Sequence, residues 1–166
     1  MKITQKISPC LWFDSQAEEA AQFYTGIFPN SRLVSIARYN EAGFEIHQRP
    51  AGSVMVVVFE LDGLTFSALN GGPLFKFTEA ISLQINCKDQ EEIDYYWDKL
   101  TAGGDPKAQV CGWLKDKYGL SWQVTPDNMD EYYRDENSPE AKRVMAAVMK
   151  MTKFDMAALQ RAYDGK

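Results

Sequence analysis

A chain of 166 residues with 45% hydrophobic and 13% aromatic side chains carries enough apolar surface for a stable core, which excludes a disordered polypeptide. Its net charge of -5 and pI near 4.9 leave no basic footprint for nucleic acid or an anionic membrane. The opening residues Met1-Lys2-Ile3-Thr4-Gln5-Lys6 form no apolar leader, and no run reaches the roughly 20 apolar residues of a spanning helix, so a cytoplasmic protein is expected.

In chain order, Ile7 to Phe13 is a short apolar run interrupted by Pro9, suited to an edge strand. Asp14 or Ser15 is expected to cap the helix that follows, where Ala17, Ala20, Ala21, Tyr24 and Phe28 recur at helical spacing and Glu18 and Glu19 suit the positive end of the dipole. Pro29-Asn30 ends it. Leu33 to Tyr39 alternates as a second strand, and Glu41 to Ser53 forms a long loop containing the single histidine, His47. His47 either packs within that loop or faces solvent, or else serves as a general base.

Val54 to Leu61 is strongly β-branched, Asp62-Gly63 is a hairpin turn, and Leu64 to Leu69 returns as a strand. After Asn70-Gly71-Gly72-Pro73 the pattern begins again. Ala80 to Asn86 is expected as a strand with Ile81, Leu83 and Ile85 turned toward the helices, followed by a helix from about Gln90 to Leu100. Val110 to Lys117 and Leu120 to Thr125 form a strand pair joined near Tyr118-Gly119. The last forty residues differ: Ser138-Pro139 opens a helix with Val144, Val148 and Met151 on one face, and Asp155 caps a final short helix carrying Leu159 and Tyr163. That apolar stripe must pack against the sheets or across a subunit interface.

The chain repeats itself. Gly63-Leu64-Thr65-Phe66-Ser67-Ala68 returns as Gly119-Leu120-Ser121-Trp122-Gln123-Val124, and Glu18-Glu19-Ala20 with Phe23-Tyr24 returns as Glu91-Glu92-Ile93 with Tyr96-Trp97. Strand alternation places Leu64, Phe66, Ala68, Leu120, Trp122 and Val124 against the helices, leaving Ser67 and the polar set Ser121, Gln123 and Thr125 on the opposite face. The expected lining of a ligand cleft is therefore Ser8, Cys10, Trp12, Ser67, Ser82, Gln84 and Gln123, neutral hydrogen-bonding groups with one large aromatic. The alternative is that these side chains simply fill a small barrel. Lys115, near the second turn, could meet an anionic substrate or lie at a solvated edge. Cys10, Cys87 and Cys111 show no metal or disulfide spacing and suit free thiols in a reducing compartment.

Paired strand-helix-strand-strand-strand modules resemble the vicinal oxygen chelate superfamily, which includes glyoxalase I, extradiol dioxygenases and bleomycin-resistance proteins. Within it, Ser8-Pro9-Cys10-Leu11-Trp12-Phe13-Asp14, Phe23-Tyr24 with Phe28-Pro29-Asn30-Ser31, Pro50-Ala51-Gly52-Ser53-Val54-Met55, Phe66-Ser67-Ala68-Leu69-Asn70-Gly71-Gly72-Pro73 and Gly112-Trp113-Leu114-Lys115-Asp116 resemble the PhnB-like group labelled 3-demethylubiquinone 3-methyltransferase. The resemblance implies an α+β fold of two βαβββ modules forming a curved sheet or barrel, with a helical tail. The modules cover 1–72 and 73–126 and the tail 127–166, one compact domain overall.

Metal-using members of the superfamily place ligands, usually His and Glu, on the first and last strands of each module. Carried over through the repeated glycine, the last-strand positions here are Ser67 and Gln123, and the first-strand ones are Ser8 or Cys10 and Ala80 or Ser82, with Glu79 as the one nearby acid. Such a set suits a transition metal poorly, so no metal or other cofactor is expected, a recruited divalent metal at Glu79 being the alternative. The function expected is small-molecule binding by a homodimer, the dimer resting on the resemblance and on the stripe of the tail. The alternative is an enzyme acting on a quinone-like or other small aromatic substrate, with no catalytic residue assigned.

Overall fold

The computed structural model describes residues 5–166, which divide between Lys76 and Phe77 into two compact units. In the first unit, β1 (Cys10–Phe13), α1 (Ala17–Ile27), β2 (Arg32–Arg38), a single-turn α2 (Phe44–His47), β3 (Val54–Leu61) and β4 (Leu64–Asn70) build a four-stranded sheet of order β1-β4-β3-β2. β1 runs parallel to β4, and β3 is antiparallel to both β4 and β2. Asp62 and Gly63 both hold positive φ, the left-handed pair that a two-residue hairpin turn requires.

Strand alternation decides which side chains meet the helix. Leu11, Phe13, Val57, Phe59, Leu61, Phe66 and Ala68 are buried on the same side as Ala17, Ala20, Ala21, Tyr24 and Ile27 of α1. Tyr24 stacks on Phe59, and Phe59 on Phe66. The start of α1 differs from the sequence expectation, since neither Asp14 nor Ser15 caps it. The Ala17 N–H instead donates to Asn70 Oδ1 at 2.8 Å, and the Asn70 amide donates to the Val54 carbonyl. A buried side chain at the end of β4 thereby satisfies an orphan helix donor, while Asp14 pairs with Arg49 at 3.1 Å.

The second unit holds β5 (Leu83–Cys87), α3 (Gln90–Thr101), a 3-10 turn (Pro106–Ala108), β6 (Trp113–Lys115) and β7 (Ser121–Pro126). Its strand order β5-β7-β6 reproduces β1-β4-β3, again with a parallel and then an antiparallel pair. The stretch before β6 contributes only the turn and one bridge, Val110 to Trp113. Gly104 explains part of this compression, because a Cβ there would lie 2.1 Å from the Lys115 carbonyl oxygen. β5 begins later than Ala80, which leaves Ile81 exposed rather than turned toward the helix. Ile93, Trp97 and Leu100 of α3 are buried, as are Ile85, Leu114, Trp122 and Val124 of the sheet.

The tail forms α4 (Met129–Tyr132), α5 (Pro139–Val148) and α6 (Met156–Asp164), with Ser138 and Asp155 capping the last two through Ala141 N–H and Ala158 N–H. It is integral to the second unit. Cys111 and Gly112 donate backbone hydrogen bonds to Met151 and Thr152, and the Gln90 side chain bonds both the Phe154 carbonyl and the Met156 N–H. Lys153 pairs with Asp94 at 2.6 Å, holding that carboxyl below its ordinary range. Val144 and Val148 of the stripe are buried and Met151 is half-buried, with Leu159 of α6 buried as well, so the stripe packs largely within its own unit. Among the described residues no helix is long and apolar enough to cross a membrane.

Candidate functional site

Each sheet has one face covered by its helix and a second face built from the alternate residues. In the first unit that second face carries Cys10 and Trp12 of β1, Thr65, Ser67 and Leu69 of β4, and Val56, Val58 and Glu60 of β3. Register sets Cys10 beside Ser67 and Val58 beside Ser67, so the thiol, the hydroxyl and an apolar branch form one row. Trp12 lies in the next row with Leu69 and Val56. Ser8 precedes β1 and is half-buried.

Trp12 is anchored rather than free. Its indole N–H donates to the Gly72 carbonyl at 2.8 Å, and its ring meets the edge of Phe75 with centroids 4.9 Å apart. A Cβ on Gly71 would lie 2.2 Å from that ring, so glycine is required there by close approach. His47 packs within its loop, against Tyr39 at 4.6 Å. Its Nδ1 lies 3.0 Å from the Arg49 N–H and its Nε2 3.1 Å from the Ala42 carbonyl, so both ring nitrogens are engaged within the loop.

The second unit assembles three of the expected lining residues. Gln84 lies beside Gln123 across the parallel β5–β7 pair, and the Gln123 amide donates to Ser82 Oγ at 2.8 Å. The Gln84 amide donates to Asn86 Oδ1 at 2.8 Å, which also lies 3.5 Å from Thr125 Oγ1. The same face carries Trp113 and Lys115 of β6 and Ser121 of β7. Lys115 forms an ion pair with Glu79, which lowers the Glu79 carboxyl below its ordinary value chiefly through that hydrogen bond.

Two residues escaped the sequence reading. Ser121 lies on the polar face but outside the expected lining, yet it is 1% exposed with a hydroxyl that has no partner among the described residues. Asp116 is not a strand residue: it follows β6, is 2% exposed, and accepts the Trp122 indole N–H at 2.8 Å and the backbone N–H groups of Tyr118 and Leu120. Its alternation with Lys115 was the available signal, since it puts the carboxylate on the helix side.

The cysteines are free. Burial and the nearby carboxylates of Glu92, Asp127 and Asp89 push the Cys87 thiol up to about 12, so it stays protonated through neutral pH. At pH 8 an aromatic disulfide reagent is expected to label exposed Cys10 in the native state and Cys87 only on unfolding. The assay is labelling of wild type against Cys10→Ser; rapid native labelling of Cys87 would contradict this burial.

A divalent transition metal, implied by the superfamily, needs imidazole, thiolate or carboxylate donors. At the corresponding positions the structure offers Ser67 beside Cys10 in the first unit and Gln123 beside Ser82 in the second, so a lone thiol is the one suitable donor among them, and the Gln123 amide is already committed to Ser82. Among the described residues no three His, Cys, Asp or Glu side chains converge as a metal centre requires. These residues do not fit the metal. S-adenosylmethionine is usually held by a Gly-rich turn after a first parallel strand. Here β1 passes through Asp14-Ser15-Gln16 into α1, and Gly71-Gly72 is packed by Trp12 and Arg49, so that cofactor does not fit this place either.

The protein-family model for 3-demethylubiquinone-9 3-methyltransferase matches residues 5–125 and so ends before the helical tail. The PhnB protein from Bacillus cereus is 40% identical, over 74% of this chain and 99% of that one, with a TM-score of 0.62. The fosfomycin resistance protein FosX from Mesorhizobium loti shares the fold at 13% identity and a TM-score of 0.54, over 80% of this chain and 99% of its own. No curated protein matches. With its mixed α+β units and repeated strand order, the chain belongs to the 3-demethylubiquinone-9 3-methyltransferase family, the PhnB-like branch of the vicinal oxygen chelate superfamily.

Proposed function

We propose that this protein binds a small molecule on a sheet face turned away from its helix, α1 in the first unit or α3 in the second, through hydrogen-bonding side chains rather than a resident metal. The observation that carries this reading is the donor set: the last-strand positions where metal-using relatives place ligands hold Ser67 and Gln123, and Gln123 bonds Ser82. Neutral hydroxyls and amides beside Trp113 and the Trp12 row suit a small aromatic ligand with polar substituents. A homodimer, resting on the family resemblance alone now that the stripe of the tail packs largely within its own unit, and a cytoplasmic setting in which the three cysteines stay reduced belong to the same proposal.

Elemental analysis after purification without added metal should find zinc, nickel, manganese and iron well below one per chain. Stoichiometric metal that survives dialysis and is lost in Gln123→Ala would overturn the reading. The family description favours a second reading, an enzyme acting on a quinone-like aromatic. A rise in the thermal midpoint with millimolar S-adenosylmethionine would support methyl transfer, because a ligand of the folded state must raise it.

A further inference from the structure

We infer that the second unit carries a subsite for the anionic group of its ligand, built from Lys115, Ser121 and Trp113, with Glu79 paired to Lys115 in the free protein. The inference rests on the ligand-binding reading of this face and adds the ligand's charge to it.

Lys115 and Ser121 are direct partners in the antiparallel β6–β7 register, so their side chains stand side by side on the face turned away from α3. Ser121 is 1% exposed, and its hydroxyl has neither donor nor acceptor partner among the described residues. A buried hydroxyl left unmatched costs stability that an alanine would not. A serine at this place is explained if the hydroxyl gains a partner in another state of the protein. The group beside it is an ammonium, so the missing partner is an acceptor carrying negative charge.

The Lys115 side chain is 24% exposed and that of Glu79 67%, so the cation is built into the face while its carboxylate partner sits at the surface. Exposed ion pairs are weak and exchangeable. Glu79 is thus an internal carboxylate already occupying the place a ligand carboxylate would take. Trp113, two residues from Lys115 and paired with Gln123, offers an aromatic surface beside that charge. The chemical class that fits is a small aromatic carboxylate, its ring on Trp113 and its oxygens on the Lys115 ammonium and Ser121 hydroxyl.

The test is titration calorimetry with 2-naphthoate and its uncharged isostere 2-naphthamide. Wild type is expected to prefer the carboxylate. Lys115→Met should weaken 2-naphthoate at least tenfold and leave 2-naphthamide unchanged. Ser121→Ala should weaken it several-fold without lowering the thermal midpoint, which a purely structural serine would not show. Glu79→Gln should strengthen 2-naphthoate several-fold by removing the competitor, and it carries the test if Lys115→Met fails to fold. Equal affinity for the two probes, unmoved by Glu79→Gln, would overturn the subsite while leaving the binding reading intact. Failure of both probes to bind would overturn both.

Discussion

Asp116→Ala should cost about 3–5 kcal/mol of unfolding free energy, at roughly 1–3 kcal/mol for each buried donor left without an acceptor. Three donors converge on this carboxylate: the Trp122 indole and the backbone of Tyr118 and Leu120. Trp122 is 2% exposed, so its indole N–H has no water to turn to. Against a usual total of about 5–15 kcal/mol, the loss should bring the second unit near its limit of stability. Asp116→Asn should cost less, because its amide retains one acceptor oxygen. Urea denaturation checks this through a lower midpoint at unchanged slope. A change below about 1 kcal/mol for Asp116→Ala would mean that the turn does not depend on the carboxylate.

Phe154→Ala should cost about 3–5 kcal/mol, the range for removing a buried aromatic side chain. Phe154 is 3% exposed, and its ring fills the space above Gly112, where a Cβ would lie 2.3 Å from the ring. Gly112 holds φ +81° and donates its N–H to Thr152, so ring and glycine fasten the tail to the approach to β6. Gly112→Ala should therefore be destabilising as well, and the double variant should fall short of the sum because both changes break one contact. Thermal unfolding of the three variants checks this. A truncation at Asn128 that unfolded like wild type would show the tail to be an appendage. The family match ends at residue 125, and the tail beyond it is bonded into the second unit through Gln90.

The sequence exposed what depends on period and repetition. Alternation buried Phe66, Ala68, Leu120, Trp122 and Val124 as expected, because a period of two is set by backbone geometry, whereas Leu64, expected against the helix, opens β4 at the hairpin turn and is 55% exposed. It also put Ser82, Gln84 and Gln123 on one face; in the structure Gln123 pairs with Gln84 across the strands and donates to Ser82. What escaped were bonds between residues far apart in the chain. Asn70 caps α1 from the far end of β4, which no local capping rule could reveal beside Asp14 and Ser15. Asp116 belongs by composition to any charged turn, and only the fold brings the Trp122 indole to it. Ser121 differs from an ordinary strand serine solely in being covered and unpartnered, a property of packing rather than of residue type.

The most direct test of the central claim, that ligands bind on the sheet faces turned away from the helices, is amide-shift mapping of 15N-labelled protein against a set of small aromatic compounds. The prediction is that binders shift Cys10, Trp12 and Ser67 in the first unit or Gln84, Trp113, Lys115, Ser121 and Gln123 in the second. Shifts confined to α1, α3 or the tail helices, or the absence of any binder, would contradict it.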